Sequence, residues 1–137
     1  MNIIHLTILH HRVSCQSYLN KIGWDNIENH GRELKEYFDK KSSSIKNFEY
    51  YTRDSKTPIL FFNIKGVSSQ DLANYLGQNK IIVRAGLSCA KASNISTKIN
   101  EAVRASLYIY NTKADIDYLI KVLKNYKKGA ELDNVIA

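Results

Sequence analysis

Two short runs of aromatic and branched residues limit the architecture that this chain can adopt. Residues 48–52 and 58–64 each have the length and composition of a β-strand, and the polar sequence Arg53-Asp54-Ser55-Lys56 separates them. Such a pair predicts an antiparallel hairpin. A hairpin with an apolar face has to bury that face against another layer of structure, so helices are expected to cover it.

Three stretches carry a helix start signal, a small polar residue followed three positions later by an acid. The pairs are Asp25 with Glu28, Ser68 with Asp71, and Thr112 with Asp115. The first helix is predicted to end near Lys40 and the second at Gly77. The last helix carries an apolar stripe with helical spacing: Ile116, Leu119, Ile120, Leu123 and Tyr126.

Two further strand-like runs complete the pattern. Residues 81–84 form one and residues 103–110 the other, and the small residues of 85–91 between them are typical of an exposed loop. The order of elements is helix, two strands, helix, strand, loop, strand, helix. It predicts an α+β fold, a two-layer sandwich in which helices cover a small, mainly antiparallel sheet.

Length and composition favour one cytoplasmic domain. The chain has 137 residues, and none of its apolar runs approaches the about 20 residues of a membrane-spanning helix. The apolar start, residues 1–9, lacks the basic region and the cleavage site of a secretion signal. The two cysteines, Cys15 and Cys89, are therefore expected to be free thiols.

The charge and the histidines of the chain do not by themselves indicate a ligand. Lysines account for much of the net charge of +7, but they are scattered, and nucleic-acid binding is kept only as an alternative that steep salt dependence would reveal. His5, His10, His11 and Cys15 lie close together in residues 1–16. No Cys-x-x-Cys or His-x3-His spacing completes a metal site there, so no metal is expected.

Cys89 is the candidate for chemistry. A lone cysteine is more often a small buried apolar residue than a catalyst. Here Arg84 and Lys91 add positive charge near a loop rich in small residues, and both features favour a reactive thiolate.

Two motifs around this loop resemble a known family. The first is Val83-Arg84-Ala85-Gly86-x-x-Cys89-Ala90, and the second is Arg104-Ala105-Ser106-x-Tyr108-x-Tyr110-Asn111-Thr112. In this order and spacing they resemble the C-terminal domain of class V aminotransferases of fold type I, and among these the cysteine desulfurases of the sulfur-mobilisation type. The chain departs from the family around the cysteine, where Leu87, Ser88 and Lys91 stand at positions often held by histidine or proline.

The resemblance implies a role for several residues. Cys89 corresponds to the cysteine that receives sulfur as a persulfide, and Arg104 to the arginine that binds the substrate carboxylate. Arg84 either shapes the substrate pocket or anchors the loop by an ion pair, and both interpretations stay open. Asn111 and Thr112 are interpreted as a turn and a helix cap. The implied cofactor is pyridoxal 5'-phosphate, whose Schiff-base lysine is not expected in this chain.

The resemblance also implies an organisation and a set of partners. Residues 17–128 are expected to form the domain, residues 1–16 an unmatched segment and residues 129–137 a tail. Expected partners are the missing cofactor-binding domain, a sulfur-acceptor or scaffold protein of iron–sulfur cluster assembly and, in a homodimer, a second copy. Without the cofactor domain we expect no turnover of cysteine. Alternatives are a persulfide carrier without catalysis and a relative such as a selenocysteine lyase.

Overall fold

The computed structural model describes residues 16–86 and 101–127. Their central feature is a four-stranded antiparallel sheet with the order β1-β2-β4-β3. The strands are β1 (Phe48–Tyr50), β2 (Ile59–Ile64), β3 (Arg84–Gly86) and β4 (Ala102–Ser106). The helices are α1 (Trp24–Ser42), α2 (Ser69–Gln78) and α3 (Lys113–Asn125). The predicted α+β class is confirmed.

The predicted hairpin is confirmed as β1 and β2. Phe48 pairs with Ile64 and Tyr50 with Phe62, so alternate residues of both strands point to the same side of the sheet. On this side Leu60 and Phe62 are fully buried beneath the helices. The hairpin therefore provides the floor of the core, as its composition predicted.

Aromatic rings fill the space between this floor and α1. The fully buried Phe38 ring contacts the rings of Phe48, Tyr50 and Phe62, with centroids 5.4 to 6.2 Å apart. Such contacts add to the free energy gained by burying the rings. Leu34 and the apolar stripe of α3 extend the same core, in which Ile116, Leu119, Ile120 and Leu123 are buried as predicted, while Tyr126 is only partly buried.

Helix α1 approaches the hairpin closely at Gly31. A side-chain carbon placed on Gly31 would lie 3.0 Å from Cβ and 3.2 Å from Cγ of Pro58. The carbonyl oxygen of Pro58 accepts a hydrogen bond from the Leu107 amide, just after β4. Because a bulkier residue would push α1 away from Pro58, Gly31 fixes the height of the helix above the sheet.

The start of α1 differs from the prediction. Asp25 does not cap the helix, because α1 begins at Trp24 with Gly23 as the preceding residue. Residues 16–22 are already helical, and Gly23 breaks the two helical segments apart with a φ of 88°. The Gly23 amide closes the first segment on Leu19, and its carbonyl starts α1 by accepting from Ile27. The helix ends at Ser42, just after the predicted end near Lys40.

The other two helix starts are confirmed. Ser68 caps α2 by accepting from the Gln70 amide. Thr112 and Asp115 form a reciprocal capping box at the start of α3. Gly77 does not stop α2, because the helix continues to Gln78 and Lys80 takes the left-handed conformation, with a φ of 60°. Gly77 does not mark the end of the helix, because the turn after α2 places a lysine, and not a glycine, in the left-handed conformation.

The third and fourth strands are shorter than predicted. Residues 81–83 lie outside β3, which begins at Arg84 and includes Gly86. Strand β4 ends at Ser106, and Asn111 then forms the predicted turn by accepting from the Tyr108 amide. In the described ranges, no helix has the length and apolarity needed to cross a bilayer.

Candidate functional site

Strands β3 and β4 place Arg84 and Arg104 side by side. The two residues are direct partners in the antiparallel register. Their neighbours Ala85 and Val103 also pair, and Val103 is fully buried under the helices, so the arginines point to the opposite face. Opposed side chains in such a pair have Cβ atoms about 4.5–5.5 Å apart. The structure therefore brings both predicted substrate-binding arginines together.

The arginines end a row of side chains that crosses the sheet, which we call the arginine row. Phe61 of β2 pairs with Arg104, and the Tyr51 amide donates to the Phe61 carbonyl. The row thus runs Tyr51, Phe61, Arg104, Arg84, one residue from each strand or its end. Phe61 and Arg104 are half-buried, and Arg84 is exposed. The arginine row therefore has a cationic end and an aromatic end, and both lie on the same face of the sheet.

Two carboxylates on or next to the strands accept hydrogen bonds from groups other than the arginines. Glu49 accepts a hydrogen bond of 2.8 Å from the Tyr51 hydroxyl. Glu101, at the start of β4, accepts from the amide and the hydroxyl of Ser69 at the first turn of α2. Within the part of the chain that the structure describes, neither arginine makes an ion pair or a hydrogen bond through its side chain.

Among the described residues, the side chains of Arg84 and Arg104 have no ionic or hydrogen-bonding partner, which suits them to bind an anion. Like charges directly opposite each other on a sheet repel, and an anion between them would remove that repulsion. The planar guanidinium donates two parallel hydrogen bonds to a carboxylate, which lysine cannot do. The arrangement is thus suited to holding a carboxylate on the face that carries the arginine row.

Tyr51 borders the site as a neutral group. Burial, followed by the hydrogen bond to Glu49, raises the pKa of Tyr51 to about 12. Its hydroxyl is consequently protonated near neutral pH and donates to Glu49. Sequence reasoning missed Tyr51 and Phe61 as neighbours of Arg104, because only the strand register shows which residues of β2 face β4.

The described lysines offer no free buried amine for a pyridoxal phosphate Schiff base. Lys35 is the one buried lysine in this part of the chain, and its Nζ is 2.9 Å from Asp39 Oδ2 and 3.0 Å from the Arg53 carbonyl oxygen. It also lies over the ring of Tyr50, on the side of the sheet that the helices cover. The one buried lysine among the described residues is therefore already paired.

The remaining predicted site residues divide in two. Asn111 and Thr112 are the turn and the helix cap, as predicted. Cys89 and the loop residues Leu87, Ser88 and Lys91 lie outside the described residues, so the distance from the thiol to Arg104 is not part of the described geometry. Among the residues that are described, no group of three or more histidine, cysteine or acidic side chains could hold a metal ion.

Comparison with known proteins identifies the fold. The aminotransferase class-V family matches residues 13–119, which is most of the chain. The chain belongs to the aminotransferase class-V family. A probable cysteine desulfurase of Ureaplasma parvum is 41% identical over 119 residues, and one of Staphylococcus aureus (strain Mu50) is 37% identical over 113 residues.

Solved structures agree with this membership. The apo cysteine desulfurase of Thermococcus onnurineus NA1 has a TM-score of 0.75 and 26% identity over 82% of this chain. The cysteine desulfurase CsdA of Escherichia coli has a TM-score of 0.66 and 26% identity over 72% of it. The match covers 29% and 24% of those chains. The alignment with the Ureaplasma protein covers 87% of this chain and 30% of that protein. The alignment with the Staphylococcus protein covers 81% of this chain and 27% of that protein.

Proposed function

We propose that this chain is the substrate-binding, C-terminal part of a cysteine desulfurase that depends on pyridoxal phosphate. Residues 17–128 would form the domain. The observation that carries the proposal is that Arg104, which matches the family's carboxylate-binding arginine, pairs in the sheet with Arg84, while neither side chain has an ionic partner among the described residues. The overall reaction would convert L-cysteine and the Cys89 thiol into L-alanine and a persulfide on Cys89.

The proposed division of labour follows from what the described residues provide. Arg104, half-buried between Phe61 and Arg84, would bind the carboxylate and fix the orientation of the substrate. Pyridoxal phosphate, held by a separate domain, would weaken the carbon–sulfur bond of cysteine. The Cys89 thiolate would form the new sulfur–sulfur bond, and the protons of the two thiols would end on alanine and on the persulfide.

A complementation assay tests this proposal. The cofactor-binding part of a class V cysteine desulfurase is purified without its own C-terminal domain and mixed with this chain, and alanine release from L-cysteine is measured. We expect release with the unchanged chain and none with Cys89→Ala. If Cys89→Ala restores alanine release fully, Cys89 does not accept the sulfur.

Two related measurements separate the alternatives. A persulfide carrier would take up sulfur from a complete desulfurase without restoring alanine release, and a selenocysteine lyase relative would release alanine from selenocysteine but not from cysteine. The proposal also includes a sulfur-acceptor or scaffold protein, a second copy of the chain and a cytoplasmic location.

A further inference from the structure

A second cationic site lies away from the arginine row. A cleft of about 680 Å³ opens where three segments meet: the α1–β1 turn, the β2–α2 turn and the end of α3. Each segment contributes one exposed lysine to its lining, namely Lys46, Lys65 and Lys124. We call this feature the lysine cleft. Because the lysines are far apart in sequence, only the fold brings them together.

Within the described residues, the three lysines of the cleft have no acidic partner. The ion pairs found within residues 16–86 and 101–127 involve Lys35, Lys41 and Arg32, and none involves a lysine of the cleft. Converging cations without a counterion repel one another and raise the local concentration of anions. The cleft therefore favours a negatively charged occupant.

The walls of the cleft are partly apolar and partly open backbone. Val67 and Tyr126 are half-buried in its lining and pack against the core. Gly66 has a φ of 78°, and nothing lies within 4 Å of the position that its side chain would take. An occupant can therefore contact the Gly66 backbone and the neighbouring apolar surface together. Such an occupant would need apolar groups as well as negative charge.

These features select among anionic partners. Single-stranded nucleic acid binds through bases stacked on exposed aromatic faces. Among the described residues that line the cleft, Tyr126 is the one aromatic residue, and it packs edge-to-face against Tyr75 with centroids 5.0 Å apart. We propose that the lysine cleft is a docking site for an acidic peptide segment with interspersed apolar side chains, supplied by a partner protein. This proposal does not depend on the desulfurase assignment.

Fluorescence anisotropy with the full chain tests the proposal. The probe is a fluorescein-labelled peptide, Glu-Asp-Leu-Glu-Glu-Phe-Asp-Glu. The variant Lys46→Gln/Lys65→Gln/Lys124→Gln should weaken its binding roughly tenfold or more, given the usual value of exposed ion pairs. The control Lys21→Gln/Lys56→Gln/Lys80→Gln removes the same charge from exposed lysines outside the cleft and should weaken it less than about threefold. Circular dichroism verifies that both variants fold.

Several results would overturn the proposal. One is equal weakening in the two variants, which would show attraction by net charge alone, and another is no binding to the unchanged chain. Equal affinity for a probe with serine in place of leucine and phenylalanine would remove the apolar requirement. Tighter, lysine-dependent binding of a single-stranded RNA oligonucleotide would assign the cleft to nucleic acid. If the acidic peptide binds only to the variant Glu131→Gln/Asp133→Asn, the occupant of the lysine cleft is the chain's own C-terminal segment.

Discussion

Replacing Arg104 by glutamine should stabilise this chain rather than destabilise it. Arg104 faces Arg84 directly and makes no ion pair within the described residues. A structural arginine, in contrast, loses a partner when it is replaced, and the protein becomes less stable. Arg104→Gln therefore distinguishes an anion-binding arginine from a structural one without any ligand or second domain.

The expected gain follows from Coulomb's law. Two unit charges about 7 Å apart in water repel by about 0.6 kcal/mol, and like charges directly opposite each other on a sheet are destabilising. With a urea dependence of about 2 kcal/mol per M, a gain of about 0.5 kcal/mol moves the midpoint of unfolding up by about 0.25 M. Circular dichroism during urea unfolding at low ionic strength resolves this shift.

Two controls give the measurement its meaning. Arg104→Lys keeps the positive charge and should leave the midpoint near that of the unchanged chain. At about 1 M salt the Debye length falls to about 3 Å, so the gain of Arg104→Gln should disappear. If Arg104→Gln lowers the midpoint at every salt concentration, Arg104 has a structural partner and the anion-site interpretation fails.

Three further predictions concern the fold. Gly77→Ala in α2 should raise the free energy of unfolding by up to about 1 kcal/mol. Gly31→Ala should lower it by about 1–2 kcal/mol, because the added methyl group would clash with Pro58 of the hairpin. If urea unfolding shows equal gains for both variants, α1 is not held close to the hairpin. Thr112→Ala should cost about 1 kcal/mol by removing the cap of α3, and an unchanged unfolding midpoint would contradict the cap. Burial, and then the hydrogen bond to Asp39, raise the pKa of Tyr50 above its ordinary value of 10.0. The contribution of Tyr50 to stability should therefore be present below that pH and be lost as the pH rises through the pKa of the folded state. Urea unfolding at alkaline pH should show a smaller fall in Tyr50→Phe than in the unchanged chain, and an equal fall in both would contradict this assignment.

The parts of the fold that the sequence predicted correctly depend on local chemistry. The hairpin follows from the composition of two short runs, and the capping box of Thr112 and Asp115 requires only residues three apart. The errors occurred where neighbouring structure overrides such signals. Asp25 has the chemistry of a cap, but the helical residues 16–22 and the break at Gly23 move the helix start ahead of it.

The site was predictable only in part. Arg84 and Arg104 could be assigned from the motifs, but their direct pairing depends on the register between β3 and β4, which no local pattern encodes. Tyr51 and Phe61 could not be predicted as members of the arginine row for the same reason. The lysine cleft was invisible in sequence, because its three lysines come from three separated turns and helix ends.

The central claim is that Arg104 holds the substrate while this chain receives its sulfur. Mass spectrometry of the complementation mixture, fed with cysteine carrying a sulfur isotope, tests it most directly. We expect the labelled sulfur on the peptide that contains Cys89 in the unchanged chain, and at least about tenfold less in Arg104→Gln, since a lost charged hydrogen bond costs about 1.5–3 kcal/mol. Labelling of Cys89 that is equal in both chains would contradict the account.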